Sequence, residues 1–157
     1  MNMFEITLLD KIRDVFSSPF LDKLMPIITR LGDDGIFWII LALIFLCFRK
    51  TRKMGFSSAL AMIIGLVVVN IVLKNAVGRI RPYEVNQGVT LLVERLSDYS
   101  FPSGHTAVSF EAATAIFIRN KKLGIPSLIL ATLIAFSRLY LYVHYPTDVL
   151  AGLVIGV

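Results

Sequence analysis

Charge is scarce in this chain: only 17% of its 157 residues are charged, against 56% apolar, and the mean hydropathy is +0.75. That composition falls outside the soluble globular class, and the length leaves room for one core. Cysteine is nearly absent as well. Cys47 is the only one, which excludes an intrachain disulfide, and its place near the end of an apolar run predicts a packing role. Acids are missing from two short basic clusters, Arg49-Lys50-Thr51-Arg52-Lys53 and Arg119-Asn120-Lys121-Lys122. Both clusters separate apolar runs, as cytoplasmic loops between membrane spans do. A nucleic-acid partner would need basic residues interleaved with aromatics on one surface, and no such stretch accompanies the net charge of +5. The first 34 residues carry six acids and four bases without a compact apolar centre, which is not the pattern of a cleavable signal peptide.

What is abundant is apolar sequence in long blocks. Residues 4–16 place Leu8, Leu9, Ile12, Val15 and Phe16 at helical spacing, and residues 20–31 repeat the pattern from Phe20 to Leu31. Two readings fit these segments: amphipathic helices in the membrane interface, or a helical hairpin packed on a membrane domain. Four longer runs follow at Gly35–Phe48, Met54–Leu73, Thr106–Ile118 and Leu123–Val143. A span takes about 20 helical residues, so the second and fourth are long enough and the other two need flanking polar residues. A fifth run, Val149–Val157, reaches only about 14 Å as a helix, so the natural protein is expected to continue beyond it. Gly152 and Gly156 have the spacing of a close helix contact. The expected fold is an all-α integral membrane bundle of about five transmembrane helices. Residues 1–34 form an N-terminal interfacial segment and 35–157 the transmembrane domain. With both basic loops cytoplasmic, residues 1–34, 74–105 and 144–148 lie on the extracytoplasmic face, and so do both histidines.

Three polar segments meet on that face. In KNAVGRIRP, residues 74–82, Lys74, Gly78 and Arg81 fall on one side of a helix that Pro82 ends, which suits an anion. Arg79 is read as part of a positive rim. In FPSGHTAV, residues 101–108, Ser103 is placed to cap a helix and Gly104 lets a ligand approach the backbone, beside His105. In SRLYLYVHYPTD, residues 137–148, Arg138 is a cation late in a span, where a charge is costly and functional. Asp148, in the first turn after Pro146, can reach back to one ring nitrogen of His144 and leave the other free as base or nucleophile. Interfacial packing alone explains a single histidine at a membrane edge; it does not explain two histidines, three cations and a carboxylate together.

These segments, K-x6-RP, PSGH and SR-x5-H-x3-D in that order, resemble the three-part signature of the type 2 phosphatidic acid phosphatase superfamily over residues 35–157. Vanadium-dependent haloperoxidases share the bundle. The chain is most similar to short bacterial membrane members, many of them undecaprenyl diphosphate phosphatases, some of which carry Asp where this chain has Gly104. The resemblance implies a phosphohistidine on His144, with Asp148 holding its ring and His105 protonating the leaving oxygen. It further implies that Lys74, Arg81, Ser103, Gly104 and Arg138 bind the phosphoryl oxygens. No metal or other cofactor is expected, since one carboxylate near two histidines among cations opposes a divalent ion. The implied activity is hydrolysis of a membrane lipid phosphate at the outer face, with undecaprenyl diphosphate first and phosphatidylglycerophosphate or phosphatidate as alternatives. A non-hydrolytic lipid-phosphate transporter using the same cations is the rival from another class. Asn70, one turn before Lys74, is placed to position it. Glu111, inside the third run, is open to structural pairing or function, and loop 83–100 to gating or an ordinary interfacial role.

Overall fold

The structure, a computed structural model, describes residues 3–157, and every regular element in that range is helical. Helix α1, Met3–Phe16, turns Ile6 and Leu9 inward and leaves Phe4, Val15 and Phe16 exposed. Helix α2, Pro19–Arg30, starts with a proline in its first turn behind Ser18, whose hydroxyl accepts from Leu21 N at 3.2 Å. After a turn at Asp33–Gly35, helix α3, Ile36–Cys47, runs to the first basic loop. Cys47 is exposed at its end, so the expected packing role is not found.

Helix α4, Arg52–Gly65, continues through wide π-type turns at Leu66–Leu73 into α5, Lys74–Val77. There the rod stops, because Gly78 adopts a left-handed φ of 60° that ends the helix with its N–H on Lys74 O. The shared helical face expected for Lys74 and Arg81 is therefore absent; Arg81 comes back on an extended backbone before α6, Pro82–Val85. A long loop leads to α7, Gly104–Arg119. Helix α8, Lys121–Tyr140, begins under Asn120, whose side chain accepts from Lys122 N and Leu123 N. Helix α9 covers Pro146–Gly156.

Helix α7 is the axis of the bundle, packed by α4, α8 and α9. Its small residues Ala107, Ser109, Ala112 and Ala113 are fully buried and permit that crowding. Gly152 and Gly156 of α9 lie against it so closely that a Cβ would meet the backbone oxygen of Ser103, just before α7, at 2.7 Å and that of Ala107 at 2.8 Å, respectively. The main core joins Trp38, Met54, Phe110, Ile116 and Ile134, with Trp38 Nε1 donating to Ser109 Oγ at 3.0 Å. A second core of Leu9, Met25, Tyr83 and Tyr140–Val143 closes the end at which α1 and α2 lie. Outward faces are apolar instead of charged: Ile39, Leu43, Ile63, Val67, Ile129 and Leu150 are all exposed, the surface a bilayer would cover. By length and composition two segments qualify as membrane spans, Arg52–Val85 and Lys121–Tyr140. The other apolar helices are shorter.

Candidate active site

All eight residues singled out from the sequence gather at the end of the bundle where α5, α7 and α9 begin or end and the chain turns from α8 into α9. The turn places His144 in full burial, following Tyr142 in a left-handed conformation at φ 63°. His144 Nδ1 is 2.8 Å from Ser100 O. A carbonyl only accepts, so Nδ1 carries the proton and Nε2 keeps its lone pair. Nε2 lies 3.3 Å from Arg81 Nη1. Burial holds the His144 ring well below its usual imidazole value, aided by Arg138 and Arg81 and opposed by Asp148. The ring is neutral at pH 7.

Asp148 is 3.6 Å from that Nδ1, beyond hydrogen-bond range, so the direct hydrogen bond expected from Asp148 to the His144 ring is not made, and Ser100 O takes its place. Its Oδ2 accepts from Ser100 Oγ at 2.5 Å and Tyr145 N at 2.9 Å, which fixes the loop whose Ser100 carbonyl orients the ring. Its Oδ1 accepts from Arg79 Nη1 at 2.6 Å. Arg79 also donates to Glu5 Oε2 and lies over the Tyr145 ring, 3.8 Å from its centroid. Glu5, buried on α1, accepts in turn from Thr147 N and Oγ1. Arg79, read from sequence as rim, is thus a structural clamp.

The cations converge from three directions. Arg138 is 2% exposed and gives Nη1 to Thr29 Oγ1 at 2.5 Å, while its Nε and Nη2 have no partner among the described residues. Buried guanidinium hydrogens without acceptors are costly, and an anion would satisfy them. Arg81 is bound to Val143 O at 2.7 Å and to the carbonyl and carboxylate of Asp98. Asp98 also pairs with Lys74. Burial would raise the Asp98 carboxyl, but Lys74 and Arg81 outweigh it and bring it down to about 2. Asp98 thus holds a carboxylate on the two cations of the first motif.

Ser103 is buried at the start of α7, but its hydroxyl makes no cap; it accepts from Thr106 Oγ1 at 2.9 Å, and its backbone N–H donates to Asp148 O. A Cβ on Gly104 would lie 3.1 Å from Asn70 Oδ1 and 3.7 Å from Lys74 Nζ, so this backbone lies within reach of the same cation. Asn70 faces Gly104 and makes no hydrogen bond to Lys74 among the described residues. His105 Nε2 contacts Asp33 Oδ1 at 2.7 Å. Glu111 lies apart, at Gly65 of α4, with Oε1 unpartnered among the described residues. Among the described residues no cluster of three or more metal-ligating side chains occurs.

Sequence reading missed Asp33, Asp98, Ser100, Glu5 and Thr29. Asp98 and Ser100 stood just before PSGH, and a count of where three cations find counter-charges would have pointed to them. Nothing local marks Glu5 or Thr29.

Fold and site together define an apolar helical bundle whose one end holds a neutral, buried imidazole nitrogen among guanidinium groups. Residues 53–157 match the sequence profile of the PAP2 superfamily, and the chain belongs to that family. It is 34% identical over 137 residues to the undecaprenyl-diphosphatase of Sulfolobus acidocaldarius, an alignment covering 87% of this chain and 66% of that one. The chain thus spans about two thirds of that relative's length. The crystal structure of Aquifex aeolicus LpxE superposes with a TM-score of 0.82 at 32% identity, covering 96% of this chain and 88% of that one. A transmembrane PAP2-type phosphatidylglycerolphosphate phosphatase from Bacillus subtilis gives 0.76 at 26% identity, covering 98% and 79%.

Proposed function

We propose that this chain is a membrane lipid phosphatase that removes a terminal phosphate at the extracytoplasmic face, with undecaprenyl diphosphate as its substrate. The observation that carries the reaction type is the state of His144. With Nδ1 tied to Ser100 O, the free Nε2 is the nucleophile, and the adjacent Arg81 and the unsatisfied donors of Arg138 are placed for phosphoryl oxygens. Phosphoryl transfer depends chiefly on such positioning and charge. Lys74 and the Gly104 and Ser103 backbone complete the binding set, Asp148 holds the loop around the ring, and His105 is the acid for the leaving oxygen. The protein family and the Sulfolobus relative support the substrate. The Bacillus structure keeps phosphatidylglycerophosphate as the second substrate to try.

The reading takes five crossings, with α3, α7 and α9 added to the two longer spans. The basic loops at 49–53 and 119–122 lie at one end of α4 and α7, and Lys74 and His105 at the other. Phosphate release from undecaprenyl diphosphate in detergent with excess EDTA tests the reading. Wild type should release phosphate and His144→Ala should not. Release that survives in the mutant, or lipid movement without release, would overturn it, the latter in favour of transport.

A further inference from the structure

The segment Gly32-Asp33-Asp34-Gly35 has no part in the reaction as described, yet it is shaped around His105. Asp33 Oδ1 lies 2.7 Å from His105 Nε2. A Cβ on Gly32 would stand 2.8 Å from His105 Cδ2, and one on Gly35, at φ 67°, would stand 3.0 Å from Val108 Cγ2 on the next turn of α7. The turn therefore docks on the first turns of α7 through two positions without side chains, and the docking delivers one carboxylate to one ring nitrogen. The other ring nitrogen, Nδ1, makes no hydrogen bond among the described residues. Around the ring the charged groups are Asp33, Arg138 and Lys74. Burial and the two cations oppose a charged imidazole, and among the described residues Asp33 is the anion set against them.

We infer that Asp33 is the positioning residue of the leaving-group acid. Its carboxylate holds Nε2–H of His105, favours the charged ring against burial, Arg138 and Lys74, and leaves Nδ1–H to be given away. This rests on the phosphatase reading above. In the first step the lone pair of His144 Nε2 forms a bond to phosphorus. The bond from phosphorus to the leaving oxygen breaks, and its electron pair stays on that oxygen. His105 Nδ1 supplies the proton and the ring becomes neutral, still held by Asp33. An alkoxide leaving group needs this proton, whereas p-nitrophenolate leaves without it.

The test compares Asp33→Asn with wild type, as full chain in detergent, on phosphatidate and on p-nitrophenyl phosphate. kcat on phosphatidate should fall about 10-fold or more, within the range of a general acid, and kcat on p-nitrophenyl phosphate by less than about 2-fold. Asp33→Glu should recover part of the loss, and Asp34→Asn, in the exposed neighbour, should change neither rate. Equal losses on both substrates, the result of a merely structural contact, would overturn the proposal, and so would no loss on phosphatidate. A second readout needs no turnover. In 15N NMR spectra of the two histidines, assigned with His144→Gln, the His105 Nε2–H resonance should shift in Asp33→Asn. An unchanged resonance also refutes the proposal. A wild type that cleaves neither of these nor undecaprenyl diphosphate would refute the phosphatase reading, and the ring measurement would then decide Asp33 alone.

Discussion

Arg79 shows how much of this site is carried by side chains that touch no phosphate. Its guanidinium spans two buried carboxylates, Glu5 on the first helix and Asp148 on the last, and so joins the ends of the chain beneath the His144 loop. Removing one partner of a buried pair costs about 3–5 kcal/mol, because the remaining charge is stranded. Arg79→Met should therefore lower the melting temperature in detergent and reduce phosphate release by about 10-fold or more. Arg79→Lys, which keeps the charge but cannot fork to both acids, should fall between. A methionine variant as active and stable as wild type would show that Asp148 is held by Ser100 and Tyr145 alone. The eight residues singled out from sequence lie together in the structure, and they could be picked out because motif order and spacing are local properties. Their counter-charges could not. Asp33, Asp98 and Glu5 come from segments 5 to 98 whose approach depends on tertiary packing, and an acid in a loop looks the same whether or not it meets a cation.

Among the elements, the amphipathic N-terminal pair and the apolar runs could be read from periodicity: α7 and α8 fall within a few residues of the blocks expected, and the second block is covered by α4 together with the π-type turns to Leu73. The end of α5 could not be read that way: helical spacing carried Lys74 to Arg81 across Gly78, whose left-handed φ breaks the helix. Helix pairing was equally hidden. Gly65 reads as a neutral residue in an apolar run, yet a Cβ there would stand 1.7 Å from Glu111 Oε1. The glycine is the notch into which α7 lays its carboxyl. Gly65→Ala should destabilise the α4–α7 contact by about 1–3 kcal/mol, the usual cost of overpacking. Glu111→Ala should restore much of that loss in the double variant, because it vacates the same space. Thermal denaturation of the four proteins in detergent gives the coupling directly. Additive losses would mean that Glu111 turns aside freely and that the notch is not what joins the helices.

For the whole molecule, the proposed orientation rests on the arrangement of charge. The exposed belt is apolar, the basic loops occupy one end, and the site occupies the other. Lys and Arg near short loops favour the cytoplasmic side, and acids contribute little. A lipid phosphate in the outer leaflet could then reach Arg138 and His144 with its tail still in the bilayer, whereas an inverted molecule would serve the inner leaflet. Cys47 lies beside the first basic loop, so a Cys47→Ser background is needed before single cysteines are introduced. In that background a membrane-impermeant maleimide should label Gln87→Cys, in the exposed loop on the site's side, on intact cells. Lys50→Cys, in the basic loop, should react only after permeabilisation. The reverse pattern would put the site in the cytoplasm and exclude carrier-lipid diphosphate of the outer leaflet as its substrate, even with the chemistry at His144 unchanged. Labelling of both on intact cells would mean that the chain between them does not cross the membrane an odd number of times, and the five-span arrangement would fall with it.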